Sequence, residues 1–418
     1  MTTDGVAAQR QAAAVPPARE RLVTRPFAAW LGAATAATVG DGILYFAVGW
    51  TAAGLGGQTA GLLLTLVVLP RTLLMLVGGA VGDRWGLRRT MVGCDAFMVG
   101  VLGCYLLVSR TAAPVVALLA GLALALGTAS AFRMPAAGAF PRLFVDDEDV
   151  PQALSLTGSL LQVARMAGPP LGGVVVAALG MRGAVAATLL AVTGVLMVLV
   201  VVRPPRRDAS DRHEGSTLRR VGEGLAAART VPGLLPLLGA VALVAGSIIP
   251  MLALSLPLAA RARGWSADVT GTVESAWIVG TLTVTLVLAR TGTLARPLPA
   301  LAGGPVLAGL GVLAVAASPH PAAALGGAVV TGVGTAVFTG HAFPLYMLRT
   351  PDGMLARFQS LLGVVQAAAM LLGNNLLGTV GGRVGPTEAI VVAALVSMLA
   401  GPLLLVPSAL RTFGGAPV

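Results

Sequence analysis

Positions 78–89 read Gly78-Gly79-Ala80-Val81-Gly82-Asp83-Arg84-Trp85-Gly86-Leu87-Arg88-Arg89, a polar knot between two long apolar runs. Four charges fall between Asp83 and Arg89, in a chain whose charged residues amount to only 11%. The flanking runs, 60–81 and 90–109, each have the length of about 20 residues that a helix needs to cross a bilayer. A sharp charge cluster between two such runs is a turn at a membrane surface. Small residues let the helix ends pack closely, and Asp83 can cap or pair near the N-terminus of the next helix. Gly86 permits the tight turn, and Arg84, Arg88 and Arg89 anchor it to the surface.

The same pattern extends over the whole chain. Apolar runs of spanning length lie at approximately 27–50, 60–81, 90–109, 113–135, 153–178, 183–202, 233–258, 268–289, 298–317, 321–343, 356–379 and 387–407, numbered here spans 1 to 12. Of the 418 residues, 56% are hydrophobic, and the mean hydropathy is +0.87. Soluble chains carry about 25% charged residues, so soluble enzymes, disordered chains and coiled coils are excluded. The 55 glycines follow no three-residue period, which excludes collagen. The expected fold is an all-α membrane protein of twelve transmembrane helices.

The net charge of +11 comes from 28 basic residues, all of them arginine. They are scattered over short gaps with no basic domain, so no nucleic-acid partner is expected. With the N-terminus in the cytoplasm, twenty arginines fall on inner segments and five (Arg110, Arg182, Arg261, Arg263 and Arg383) on outer ones. The positive-inside rule therefore places both termini in the cytoplasm. The largest polar gap divides the chain into a tail 1–26, a six-span bundle 27–202, a central loop 203–232, a second six-span bundle 233–407 and a tail 408–418. The halves resemble each other: Arg84-Trp85-Gly86 recurs as Arg290-Thr291-Gly292, Ser155-Leu156-Thr157-Gly158 as Ser360-Leu361-Leu362-Gly363, and Gln162 and Met166 as Gln366 and Met370. A common offset near half the chain points to a duplicated unit, as in many transporters.

At residues 79–89 the sequence resembles the major facilitator superfamily, whose signature at this loop is G-x-x-x-D-R-x-G-R-R. Gly79, Asp83, Arg84, Gly86, Arg88 and Arg89 carry the match, and Leu87 departs from it at a position that is often basic. The resemblance implies two pseudo-symmetric halves around a central cavity, with this loop latching them in the outward-facing state. Span 5 carries Ala164, Gly168-Pro169-Pro170 and Gly172-Gly173, similar to the antiporter motif G-x-x-x-G-P-x-x-G-G of the same superfamily. Glycine and proline together make a kinked, closely packed helix, usable as a hinge or a seal. Gly40-Asp41 and the stretch Arg133-Met134-Pro135 to Pro141-Arg142-Leu143 resemble the drug-antiporter branch, which includes the enterobactin exporter and macrolide-efflux proteins.

A charge in mid-membrane costs about 2.5–3.5 kcal/mol on insertion scales, so each one is a candidate functional group. Three acids qualify: Asp41 in span 1, Asp95 in span 3 and Glu274 in span 8. Asp41 is pulled between desolvation, which favours its proton, and any arginine partner, which favours its charge. It reads equally as a proton carrier and as half of a fixed pair with Arg71 or Arg165. Glu274 reads as a proton site, a carboxylate for a basic drug, or a rim residue. Asp95 reads first as a salt bridge to Arg88 or Arg89 supporting the loop. Arg71 and Arg165 are fixed positive charges that neutralise Asp41 or receive an anion, whereas Arg133 lies near the inner end of span 4 and can snorkel to water.

The candidate cavity residues are Tyr45, Phe46, Gln162, Trp277, His341, Gln366 and Asn374. Tyr45 and Phe46 follow Asp41 by about one turn, as a stacking platform. Gln162, Gln366, Asn374 and Asn375 line the cavity or hold helices together. No cofactor and no metal are expected: without lysine there is no phosphate-binding loop, and no ligand cluster or catalytic triad is visible. Cys94 and Cys104, about 15 Å apart on a helix, are too far apart for a disulfide. The chain reads as a secondary transporter and not an enzyme, monomeric in a bacterial inner membrane, exporting a small amphipathic molecule in exchange for protons that compete for the same cavity. Proton-coupled uptake on the same scaffold and a non-transporting membrane sensor remain as alternatives.

Overall fold

The three-dimensional structure is a computed structural model that describes residues 23–146, 148–205, 225–351 and 354–406, and their side chains except at 75–84 and 355–356. Most of the expected tail 1–26, the tail 408–418 and most of the central loop lie outside these residues, as do the side chains of Gly79, Asp83 and Arg84. Span 1 is the helix Arg25–Ala53, span 2 Gly57–Trp85, span 3 Leu87–Val108 and span 4 Val115–Ala139. Spans 8 to 12 are Ala267–Thr291, Leu298–Ala317, Pro321–Leu348, Leu355–Arg383 and Pro386–Leu403. Among the described residues, 11 helices are long and apolar enough to cross a membrane.

One of these helices holds two spans. Val150–Val201 runs for 52 residues, which would reach about 78 Å against a hydrocarbon core of about 30 Å. The chain reverses at Gly180, where φ 66° and ψ −169° require a residue without a Cβ. Both far ends then meet: Ala153 and Leu199 share one buried cluster with Phe27, Trp30 and Phe140. Residues on either side of the reversal, Val176 and Ala184, pack together on Ile43 and Phe46 of span 1. Spans 5 and 6 are therefore an antiparallel hairpin, and the described residues hold twelve spans.

Span 7 is also irregular. Leu234–Pro250 passes through a π-helical turn, Met251–Ser255, into Leu256–Ala262. Pro250 has no N–H to give the helix, and the ladder re-forms one residue wider beyond it. Elsewhere hydroxyls are turned back on their own helix, as where Thr35 donates to Leu31 (2.7 Å) and Thr335 to Thr331 (2.7 Å). Hydrocarbon offers such groups no other partner.

The same packing pairs recur in both halves. Spans 2 and 4, 1 and 5, and 3 and 6 pack in the first half, and spans 8 and 10, 7 and 11, and 9 and 12 in the second. The turn between spans 2 and 3 is shorter than the sequence suggests. Helix continues to Trp85 and resumes at Leu87, so Gly86 alone, with φ 84°, makes the turn.

The halves meet closely at one end of the bundle, opposite the Gly86 turn. A Cβ added to Gly49 of span 1 would stand 2.6 Å from the Ala253 carbonyl of span 7. At Gly57 and Gly61 of span 2 it would stand 2.6 Å from Gly382 N and 2.5 Å from Asn374 O of span 11. Gly173 of span 5 abuts Ala267 O of span 8 (2.6 Å), and Gly271 of span 8 abuts Pro169 O (2.7 Å). Asn375 Nδ2 donates to Thr65 Oγ1 across the same seam, at 2.8 Å. Backbone lies on backbone here, with no space for a side chain at these glycines.

A bulky side chain in this seam must part it. In a background with Cys94 and Cys104 replaced by serine, we expect Gln366→Cys to react with a membrane-impermeant maleimide only from the end bearing Gly86. Adding Gly61→Leu is expected to make it reactive from both ends. Labelling from one end alone in both proteins would show that the glycine seam is not the seal.

Candidate functional site

Two contacts with neighbouring helices fix the position of Asp41. Gly40 O accepts a hydrogen bond from Thr188 Oγ1 of span 6 at 2.8 Å, and a Cβ on Gly42 would stand 2.7 Å from the Gly168 Cα of span 5. Span 1 is thus held against spans 5 and 6 on either side of Asp41. Across from it, Arg133 of span 4 reaches between two carboxylates. Its Nη1 lies 3.4 Å from Asp41 Oδ2, and its Nε lies 2.8 Å from Asp95 Oδ1 of span 3. The N–H at Nε points off that oxygen, so the contact is an ion pair without a hydrogen bond, and Asp95 Oδ2 is buried without a partner. The Asp95 side chain is 1% exposed, Arg133 18% and Asp41 46%. One guanidinium serves two carboxylates, so the trio carries a net negative charge when all three are ionised and becomes neutral with one proton.

This arrangement differs from the one expected from the sequence. Asp41 pairs with neither Arg71 nor Arg165. Arg133 does not snorkel to water; it is the centre of the network. Asp95 does not support the loop through Arg88 or Arg89. Arg88 instead donates from Nε to Leu199 O and from Nη2 to Val200 O, both at 2.8 Å, closing the C-terminal end of span 6. Arg89 is exposed.

Other candidates divide between cleft and core. Tyr45 is half-buried within electrostatic reach of both Arg71 and Glu274. Phe46, the next residue, is 3% exposed and stacks on Trp50 within the first half, so it is not a cavity residue. Adjacent helical positions point about 100° apart, and that separates the two roles. Gln162, Arg165, Met166, Trp277, Ile278 and Thr281 border a cavity of about 220 Å³ between spans 5 and 8. Among the described residues no cation lies within 4 Å of Glu274, which sits one turn from Ile278 toward the seam. Gln366 is half-buried beside the cluster of Val68, Ala367 and Met370 joining spans 2 and 11. Asn374 is buried in the seam, with its carbonyl against Gly61. His341 is not in the cavity. Its Nδ1 donates to Val337 O (2.8 Å) and its Nε2 accepts from Leu294 N (3.1 Å), holding the loop after span 8.

The glycine-proline stretch of span 5 presents two faces. Ala164, Gly168 and Gly172, spaced by four, lie toward span 1, where Gly168 meets Gly42 and Gly172 meets Ile43 and Phe46. Pro169 and Gly173 lie toward span 8 and form part of the seam. Two residues near the seam escaped the sequence reading as functional groups. Arg261 lies over the Trp50 ring at 4.3 Å and donates from Nε to Trp50 O at 3.0 Å, clamping span 7 to span 1. Arg263 donates to Val315 O (3.1 Å) and Ala316 O (2.6 Å), at the end of span 9. Both stood among the few arginines that break the positive-inside pattern, which was the available signal.

Two six-helix halves, packed backbone to backbone at one end and bordering a cavity between spans 5 and 8, make the architecture of a membrane transporter. The sequence matches the Major Facilitator Superfamily over residues 30–374, and the chain belongs to that family. Among solved structures, a nucleoside transporter, NupG, superposes with a TM-score of 0.68 at 12% identity, covering 90% of this chain and 98% of its own. A bacterial homolog of the human lysosomal transporter Spinster, in an inward-facing and unoccupied conformation, gives 0.67 at 15% identity, with 94% and 98% covered. A bacterial metal transporter gives 0.59 at 18% identity, with 92% and 99% covered. No curated protein matches the chain.

The trio's geometry ranks its members by burial. Asp95→Ala leaves Arg133 with one distant partner and is expected to cost about 3–5 kcal/mol, as for other broken buried pairs. Asp41→Ala removes a half-exposed partner and is expected to cost about 0–1 kcal/mol. Thermal unfolding in detergent measures both, and losses of equal size or in reverse order would refute the ranking.

Proposed function

We propose that the chain is a proton-coupled exporter of a small amphipathic molecule, working by alternating access in the cytoplasmic membrane of a bacterium, as a monomer with both termini inside. The observation that carries this reading is the Arg133 guanidinium shared by Asp41 and Asp95, with Asp41 46% exposed and Asp95 1% exposed. A fixed structural pair would need only one carboxylate. The second gives the trio a vacancy for one proton, and Asp41 is its exposed member.

In this reading the arginine bias places the Gly86 end in the cytoplasm. The conformation described here then faces inward, with its outer end closed by the glycine seam and the Arg261–Trp50 clamp. Likeness to an inward-facing Spinster homolog supports that assignment. Cargo enters the cleft from the cytoplasm, and the halves rock until the inner end closes and the seam opens. Asp41 takes a proton outside, which neutralises the trio, and returns it inside. Neutrality lowers the cost of moving these charges through a closed, dry intermediate. The resemblance of residues 164–173 to the antiporter motif favours export over uptake.

Everted vesicles test this directly. With an acid interior, the wild type is expected to release protons when amphipathic cations or anions are added, and Asp41→Asn is expected to abolish that release while the protein stays folded. Release that persists in the Asn variant would remove Asp41 from the proton path. Cargo leaving such vesicles instead of entering would reverse the direction.

A further inference from the structure

The cavity between spans 5 and 8 has a one-sided chemistry. Arg165 reaches it from the middle of span 5, exposed and with no ion-pair partner among the described residues. A guanidinium has donors only and keeps its charge. Gln162, one turn away on the same face, adds an amide. Opposite them stands Trp277, whose buried indole N–H finds no acceptor in the protein. Thr281 and Thr285 spend their hydroxyl hydrogens on Trp277 O (3.0 Å) and Thr281 O (2.8 Å) of their own helix. Met166 and Ile278 supply apolar wall. The nearest acid along span 8, Glu274, lies one turn toward the seam, where Tyr45 is within reach of both it and Arg71.

An unpaired cation in mid-membrane is expensive unless water or a ligand meets it. Unmet donors on both walls call for an acceptor-rich partner. We infer that this cavity binds the anionic head of the transported molecule, a carboxylate or sulfonate on a compact aromatic body, with Arg165 and Gln162 on the head and Trp277 and Met166 against the ring. The inference rests on the export reading and names its substrate class. It also separates cargo from proton: the anion sits between the halves, while Asp41 and its partners lie within the first. Exchange then depends on the two conformations, with no competition for one carboxylate.

A pair of probes of one size and opposite charge decides the matter: 2-naphthoate and 2-naphthylmethylammonium, with equilibrium binding measured on the full chain in nanodiscs of zwitterionic lipid. Naphthoate is expected to bind at least about tenfold more tightly, the weight of one charge-assisted hydrogen bond. Arg165→Gln is expected to erase that preference, and Arg165→Lys to keep part of it. Both variants should melt within a few degrees of the parent, since Arg165 is exposed and joins no ion pair among the described residues. Asp41→Asn is expected to bind naphthoate as the parent does, even where proton release is lost. Equal binding of the two probes, a preference for the ammonium, binding of neither, or a preference that survives Arg165→Gln would each overturn the inference. Loss of proton release with naphthoate binding intact would bear on Asp41 alone, so the two readings fail separately.

Discussion

Hydrocarbon cannot form hydrogen bonds, and that constraint orders this structure from its backbone to its site. It makes every span a helix, because only a helix satisfies its own peptide groups. It turns the threonine hydroxyls back onto carbonyls one turn earlier, and it allows the π-turn at Met251–Ser255 only where those residues are fully buried in protein. It also forces charges inward. Arg133 is the clearest case, since a guanidinium at this depth needs counter-charge and finds it on two neighbouring helices.

The span count and the limits of most helices were legible because they depend on length and apolarity alone. Spans 9 and 10 begin at the very residues the apolar runs mark. What the sequence left hidden was azimuth. Arg133 was misjudged because depth along a helix was read as access to water, while the direction of the side chain decides between them. Tyr45 and Phe46 are neighbours in sequence with opposite fates for the same reason. His341 was read as a cavity residue, but the backbone N–H it accepts from, at Leu294, comes from a loop 47 residues away. The reversal at Gly180 fell in the gap left between the runs 153–178 and 183–202, whereas the π-turn at Met251–Ser255 was invisible to hydropathy, which averages over the residues that break the helix.

The seam explains why so small a residue set recurs along spans 1, 2, 5, 8 and 11. In water, two halves could be held by burying large apolar side chains. In lipid that gain vanishes, since a leucine is as well solvated by an acyl chain as by another leucine. Among the described residues, close backbone contact, the Asn375–Thr65 hydrogen bond, the Arg261–Trp50 clamp and small apolar contacts such as Val68 with Ala367 and Met370 join the halves instead. Such an interface is tight without being sticky. Its contacts are few and small, which suits a transporter better than a fixed dimer of bundles.

The same economy of space connects the charged trio to the cavity between spans 5 and 8. Asp41 is flanked by Gly42, whose backbone rests directly on Gly168, and Gly168 lies three residues beyond Arg165 on one helix. No side chain stands between the two backbones to absorb a displacement. Spans 1 and 5 are therefore held in register at this crossing. Span 5 carries at that level both the cation facing the cavity and Pro169 and Gly173, which touch span 8 in the seam. Had residue 42 been leucine, its side chain would stand in the crossing and the two helices would have to move apart. With glycine on both sides of the crossing, the trio, the cavity and the seal share one rigid element.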